Sequence, residues 1–460
     1  MSAAVRGRVS SERRLPLPDA CLGCSSCVAV CPVASSDGRF AGPKVLGPAF
    51  ERLLAGPWPG EPGLGPRDAE RLGAGLCLQC HLCDLACPAG VEVSSLTRRA
   101  KALARRLPRG GYRRLMDDLL ADQERFGRLA AAVRWPRSLL HGTSPWLGRT
   151  VDGFAGRLVG LHPARRLPRP PRQPFRAWFE ATRRPREERD RQPVILFVGC
   201  HGRFHDPVVP RAAVEVLRSA GYRVVAAQEV CCGSPALSVG DEGRARDSLE
   251  ANARLLDHLS TRLGGGVPIV SPCPSCSLSL RRLLPELIGD GPARAVADAV
   301  WDLGEFLAGP ARVGLEQAFD RPRHWGDDGA PPSGEEAAVT PWTYHASCHL
   351  RALGVGKLFP ALLSSLEVPG RLDAGPAADG CCGMGGLTGL TREGYDLSLA
   401  AGARVLEAYR SLAAAGPVVL SDCPACRWQI AEATGLKTAH PVELLAARLR
   451  DRAGGRNSIG

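Results

Sequence analysis

The chain has 460 residues, 44% of them hydrophobic, and its 59 Lys or Arg against 47 Asp or Glu give a formal net charge of +12. That length predicts about three domains, and no apolar run approaches the roughly 18 to 20 residues that a membrane span needs. The N-terminal stretch MSAAVRGRVSSERRLPLP is basic but has no apolar core, so it does not read as a secretory signal and a cytoplasmic location is expected. Aromatic residues make up only 5% and no nucleic-acid motif accompanies the charge, which argues against a nucleic-acid partner.

The informative count is 18 cysteines, eight before residue 90 and ten after residue 199. A long chain without a signal peptide sits where thiols stay reduced, so metal ligation is expected rather than a disulfide framework. The eight N-terminal cysteines form two runs, CLGCSSCVAVCP and CLQCHLCDLACP, both C-x2-C-x2-C-x3-C-P. That spacing lets a tight loop offer three thiolates to one 4Fe-4S cubane while the fourth cysteine reaches the other cluster. One cluster is therefore assigned to Cys21, Cys24, Cys27 and Cys87, and the other to Cys77, Cys80, Cys83 and Cys31. Four-thiolate zinc sites usually use two CxxC pairs instead. The intervening residues, including AFERLLAG and DAERLGAG, read as helical, so residues 1–100 are expected to form a helical ferredoxin-like domain.

A basic helical segment and a Pro/Arg-rich linker follow over residues 101–193. From Arg98 to Arg191 there are 24 Lys or Arg against 9 Asp or Glu, and residues 161–193 carry seven Pro and ten Arg. Such composition favours a solvated connector, with an anionic membrane surface as the alternative use of the charge.

The second half repeats. Cys200, Cys231, Cys232, Cys273 and Cys276 are spaced by 31, 1, 41 and 3, and Cys348, Cys381, Cys382, Cys423 and Cys426 by 33, 1, 41 and 3. This is a duplicated domain, placed at 194–308 and 342–460 with a linker over 309–341. In each copy an apolar, strand-like run (VILFVGC, WTYHASC) ends on the first cysteine and a helix-period segment follows. A second strand is clear in RVVAAQEV and weak in the other copy. PIVSPCPSC and PVVLSDCPAC each read as a strand feeding a CxxC that opens a helix. The expected fold is multidomain α/β, with parallel sheets whose carboxyl ends gather the cysteines.

Five thiolates per copy are one more than a cubane or a zinc ion uses, and adjacent cysteines such as Cys231 and Cys232 suit two irons better than one metal ion. Gly233 and Gly383 are expected to allow a tight bend, and the other glycines of CCGMGGLTG to pack against a cluster. His81, His201, His205, His345 and His349 crowd the motifs. They are expected to hydrogen-bond around the clusters and tune them, with proton donation or ligation as the alternative.

Two ferredoxin motifs followed by C-xn-CCG-xn-C-x2-C, twice, resemble the catalytic or electron-transfer iron-sulfur subunits related to heterodisulfide reductase. That family includes an iron-sulfur subunit of anaerobic glycerol-3-phosphate dehydrogenase and the iron-sulfur subunit of glycolate oxidase. GPKVLGPAFERL, FVGCHGRFHDPVVPRAAVEVL, QEVCCGSPALSVGD, SPCPSCSLSLRRLLPEL and YHASCHLRALGVGK extend the likeness beyond the cysteines. The resemblance implies a noncubane 4Fe-4S cluster on Cys200, Cys231, Cys232, Cys273 and Cys276, and another on Cys348, Cys381, Cys382, Cys423 and Cys426. Zinc is the alternative occupant, more so in the first copy. It also implies an electron-transfer subunit that takes electrons from a flavoprotein dehydrogenase acting on glycerol 3-phosphate or a 2-hydroxy acid and passes them toward quinone, peripheral on the inner face of the cell membrane. The alternative is disulfide reduction at a noncubane cluster, with Cys381 and Cys382 as the candidate catalytic residues.

Overall fold

The computed structural model describes residues 18–54, 56, 62–108, 110, 118–119, 121–132, 160–165, 171, 173–183, 187–320, 341–375 and 378–452. The expected connector between the repeats falls mostly on residues 321–340, outside the described residues, as does much of the basic segment.

Each repeat is built on a small parallel sheet. In the first, β1 (Pro193–Leu196), β2 (Arg223–Ala226), β3 (Ile269–Ser271) and β4 (Val300–Asp302) lie in the order β2-β1-β3-β4, all parallel. Val194, Ile195, Leu196, Ile269 and Val270 are fully buried, as expected for strands covered on both faces. In the second, β5 (Trp342–Tyr344), β6 (Val418–Leu420) and β7 (Thr438–Ala439) run parallel in the order β5-β6-β7. Where β2 would stand, the second copy has a lone parallel bridge between Trp342 and Arg371. Pro369, Gly370 and Gly375 deprive that run of β-forming residues, so the weak strand of the sequence reading is reduced to one pairing.

The two repeats share a core. The helix Val208–Ser219 after β1 packs on the helix Pro441–Arg452 after β7, and the helix Leu358–Ser365 after β5 packs on the helix Leu303–Ala308 after β4. Each repeat therefore lays its early helix on the other's last helix, in a twofold-like exchange. Val214, Val216, Leu217, Val442, Leu445 and Ala446 are fully buried at the first contact. At the second, Gly304 admits Phe359 so closely that a Cβ there would lie 2.5 Å from the ring. The helix Arg312–Asp320 lies beyond residue 308 and packs against Val208–Ser219, burying Leu315 and Phe319.

The N-terminal unit is helical, as the sequence implies. The π-turn Val45–Ala49 and the helices Phe50–Leu53, Pro66–Arg71 and Val93–Arg105 bury Leu46, Phe50, Ala69 and Leu96. Helix Val93–Arg105 is strongly amphipathic and also fastens this unit to the first repeat. Arg98 reaches Glu286 at 2.7 Å and Glu242 at 3.5 Å, with its side chain only 3% exposed. Arg105 pairs with Asp118 and Asp241, and the buried Arg165 binds Glu432 at 2.8 Å and the carbonyl of Gly389 at 2.8 Å. Part of the basic excess thus ties the molecule together internally. Among the described residues no helix is long and apolar enough to cross a membrane.

Candidate metal centres

The two N-terminal cysteine runs fold into matching loops. Ser25 and His81, each just before a short helix (Ser26–Ala29 and Leu82–Leu85), adopt left-handed backbone angles. That conformation turns the loop so that three thiols point inward. One small cavity is lined by Cys21, Cys24, Cys27 and Cys87. The other is lined by Cys31, Cys77, Cys80 and Cys83. The structure thus brings together the crossed sets expected from the spacing, the fourth cysteine of each run joining the three of the other. Burial pushes Cys31 up to about 12, with Cys80 and Cys77 adding to the effect, and burial with Asp84 and neighbouring thiols pushes Cys83 well above the usual range. Thiols packed this way cannot ionise together unless a cation is among them, and the donor set fits a thiophilic metal cluster.

In both repeats the five cysteines lie beyond the carboxyl ends of the strands. Cys200 sits on the helix Gly199–Phe204 after β1 and Cys348 opens the helix Cys348–Ala352 after β5. Cys273 and Cys423 each precede a helix with Pro at its first position, so Cys276 and Cys426 lie in the first turn. The thiols form the same chain twice: Cys200, Cys231, Cys232, Cys276, Cys273 in one copy and Cys348, Cys381, Cys382, Cys426, Cys423 in the other. The Sγ atoms of Cys200 and Cys231 are 3.7 Å apart. Hydrogen bonds from both neighbours hold Cys232 and Cys382 well below the normal thiol value, while bonds to Cys232 and Cys273 push Cys276, and bonds to Cys382 and Cys423 push Cys426, well above it. Five thiols in one string, with Cys200, Cys273 and Cys348 partly exposed, form a donor set that fits a thiophilic metal centre.

The CCG turns are fixed differently in the two copies. Gly233 and Gly383 have φ of 83° and 87°, in keeping with the tight bend expected there. In the first copy, buried Asn252 accepts from Val230 N and donates to the carbonyls of Val230 and Cys231 at 3.2 and 3.1 Å. In the second, Gly402 takes that helical position and the backbone closes in directly, a Cβ at Gly383 falling 1.9 Å from the Ser398 carbonyl. Gly385 and Gly386 of CCGMGGLTG line the same cavity as the five cysteines of the second repeat. Gly385 packs on Leu78 and Gly386 on Ser238, because this loop is where the second repeat meets the other two units.

The histidines occupy distinct positions. His81 hydrogen-bonds Ser94 Oγ at 2.8 Å and Asp84 at 3.2 Å. His349 binds the Gln79 carbonyl at 3.2 Å and Ser275 Oγ at 2.9 Å, so one ring touches loops of three different cysteine sets. Neither Gln79 nor Ser275 stands out in the sequence, although each lies inside a CxxC. His345 bonds Ala378 O through Nδ1, while its buried Nε2 has no partner among the described residues and faces Cys382 and Cys426, the three ligand-type atoms lying within 4.8 Å of one another. In the first copy Phe197 holds the equivalent place, a difference visible on aligning VILFVGC with WTYHASC. Burial lowers both His201 and His205 beside the first set. Cys381 and Cys382 are themselves 5% and 3% exposed, deep between the N-terminal unit and the repeats. A thiol hydrogen bond to Cys381, with burial, pushes Cys80 well above the usual thiol range, and this contact joins the N-terminal set to the second repeat.

Comparison with known proteins agrees with this geometry. A 4Fe-4S dicluster domain matches residues 18–91, and a cysteine-rich domain matches residues 194–281 and again 342–431. A subunit of the anaerobic glycerol-3-phosphate dehydrogenase of Escherichia coli (strain K12) is 25% identical over 438 residues, covering 93% of this chain and 98% of that protein. A subunit of the CoM/CoB fumarate reductase of Methanothermobacter marburgensis is 28% identical over 89% of this chain and 67% of that protein. Lactate utilization protein A of Bacillus pumilus is 30% identical over 199 residues, 42% of this chain and 73% of that protein. A dicluster unit followed by a duplicated cysteine-rich domain defines an iron-sulfur protein of the oxidoreductase-subunit type. The chain belongs to the family of iron-sulfur subunits that these relatives represent.

Proposed function

We propose that the chain is the electron-transfer subunit of an oxidoreductase complex, taking electrons from a flavoprotein dehydrogenase of glycerol 3-phosphate or a 2-hydroxy acid and delivering them toward quinone. The reading divides the chain into a dicluster unit over 1–100, the basic segment over 101–193 and two cysteine-rich units over 194–308 and 342–460. Cys21, Cys24, Cys27 and Cys87 would hold one 4Fe-4S cubane, and Cys31, Cys77, Cys80 and Cys83 the other. The two five-cysteine sets would each hold a noncubane 4Fe-4S cluster. Clusters bound there supply one-electron oxidation and reduction.

The observation that carries the reading is the contact between Cys80 and Cys381, which joins the set of Cys31, Cys77, Cys80 and Cys83 to the second repeat. In the other N-terminal set Cys24 is exposed, whereas Cys381 and Cys382 are buried. A donor can therefore dock at Cys24 while protein keeps water from the interior. The basic stretch beyond Arg128 supports peripheral attachment to anionic lipid, read by flotation with anionic vesicles after charge removal at Arg134, Arg137, Arg149 and Arg157.

The test is anaerobic purification of the native assembly, followed by electron transfer from glycerol 3-phosphate and from 2-hydroxy acids to menadione. A co-purifying flavoprotein, with turnover lost in Cys80→Ser, is the expected result. A chain that purifies alone and instead reduces disulfides would contradict it.

A further inference from the structure

The two repeats differ at one position inside their cysteine sites. Phe197 and His345 each stand three residues before the first cysteine of their copy, just beyond β1 and β5. The backbone places them alike: Phe197 N donates to Val270 O on β3 at 2.9 Å, and His345 N to Leu420 O on β6 at 2.8 Å. Both side chains are fully buried. Phe197 packs in one apolar cluster with Cys232 and Cys276, as a core residue does. In the second copy the same place holds a polar ring, which is costly to bury without partners for both nitrogens.

The partner of one nitrogen fixes the tautomer. Nδ1 of His345 lies 3.2 Å from the Ala378 carbonyl, which only accepts, so Nδ1 carries the proton and Nε2 presents a lone pair. A ring nitrogen of His345 and the sulfurs of Cys382 and Cys426 all lie within 4.8 Å of one another. With Nδ1 engaged, the free nitrogen is Nε2, which is buried and has no hydrogen-bond partner among the described residues. A lone pair beside two thiolates gains nothing from them, since all three groups only accept. A metal atom among them serves all three. Bonds of about 2.3 Å to sulfur and about 2.0 Å to nitrogen put them in reach after a small inward shift. A histidine that binds metal through one nitrogen usually has the other tied to a carbonyl or carboxylate, as Nδ1 is here.

We propose that His345 is a metal ligand of the second-repeat centre, with Nε2 bound to the metal atom that Cys382 and Cys426 hold. The duplicated sites then carry chemically different centres, with sulfur donors alone in the first and sulfur with nitrogen in the second. The proposal rests on the reading of the five-cysteine sets as metal centres and adds a donor to one of them.

The experiment uses the full-length chain, purified anaerobically with isotopically labelled histidine, beside His345→Phe, which copies the first repeat, and His345→Gln, whose amide can keep the bond to Ala378. Iron, zinc and sulfide are recorded for each. With iron at the second repeat, pulsed electron paramagnetic resonance at the potential where that centre is paramagnetic should show a directly bound histidine nitrogen, lost in both variants. With zinc there, zinc X-ray absorption should show a nitrogen neighbour that both substitutions remove, so the cluster reading would fail while the ligand stands. A parent centre without bound nitrogen, or a nitrogen signal that survives both substitutions, would overturn the role of His345 and leave the cluster reading intact. A second repeat that holds neither metal would overturn both.

Discussion

His349 places Nε2 3.2 Å from the Gln79 carbonyl and Nδ1 2.9 Å from Ser275 Oγ. A carbonyl only accepts, so Nε2 carries the proton and Nδ1 accepts from the serine hydroxyl. The ring thereby spans the loop of Cys77 and Cys80, its own neighbour Cys348 and the loop of Cys273 and Cys276. His349→Ala leaves two partly buried groups without their partner and should cost about 1 kcal/mol. The measurable counterpart is a weakened magnetic interaction between the N-terminal and repeat centres in the reduced protein, followed by electron paramagnetic resonance. His349→Gln, which can restore one of the bonds, should recover part of it.

Arg98 is the strongest single tie between the N-terminal unit and the first repeat. Burial alone would raise the Glu286 carboxyl, but the Arg98 guanidinium outweighs it and holds the group below its ordinary value. Removing Arg98 leaves Glu286 and Glu242, whose side chains are 23% and 26% exposed, without their cation, so Arg98→Ala should destabilise by about 1.5–3 kcal/mol. Glu286→Gln should cost less, since Glu242 still faces the arginine at 3.5 Å. Urea unfolding of the two variants checks the order.

His440 gives a pH dependence with a defined sign. It donates from Nε2 to Pro272 O at 3.0 Å and accepts from Val442 N at Nδ1. Burial, with Arg427 nearby, lowers it to about 3. The unfolded chain binds a proton at about 6.5, so it holds the extra proton below that pH. The contribution is full above about 6.5 and is lost as pH falls toward about 3, with a slope of about 1.4 kcal/mol per pH unit. His440→Gln should remove this part of the slope between pH 6 and 4, as measured by denaturant titration at each pH.

The two CCG glycines should differ in tolerance. Both have positive φ, which costs an alanine about 1–2 kcal/mol. At Gly233 the nearest neighbours of an added Cβ are 3.1 Å away, whereas at Gly383 the Ser398 carbonyl would be 1.9 Å away. Gly233→Ala should fold with its iron retained, and Gly383→Ala should lose iron from the second repeat, which iron analysis of the purified variants distinguishes.

The cysteines are legible in the sequence because metal ligation imposes fixed spacings. The crossing of Cys31 and Cys87, the duplication, the parallel sheets and the helix-opening CxxC motifs all follow from short-range pattern. Strands β4 and β7, of three and two residues, carry too little periodicity to be read. The bonds of His349 to Gln79, 270 residues away, and of Arg165 to Ser398, 233 away, depend on how units dock, which no local pattern encodes. The glycines around Met384 are legible as residues of the cysteine cavity, but their contacts with Leu78 and Ser238 from other units are not. The cavity of Cys200, Cys232, Cys273 and Cys276 also draws Phe126, Leu161 and Trp428 from three separated segments, a lining visible only after folding.

The central claim is that all 18 cysteines serve four iron-sulfur centres. Iron, zinc and sulfide analysis of the anaerobically purified chain tests it most directly. The account predicts about 16 irons with matching sulfide, four for each of four clusters, and no stoichiometric zinc. About eight irons with one or two zinc ions per chain would contradict it and reduce the repeats to a zinc-bound scaffold.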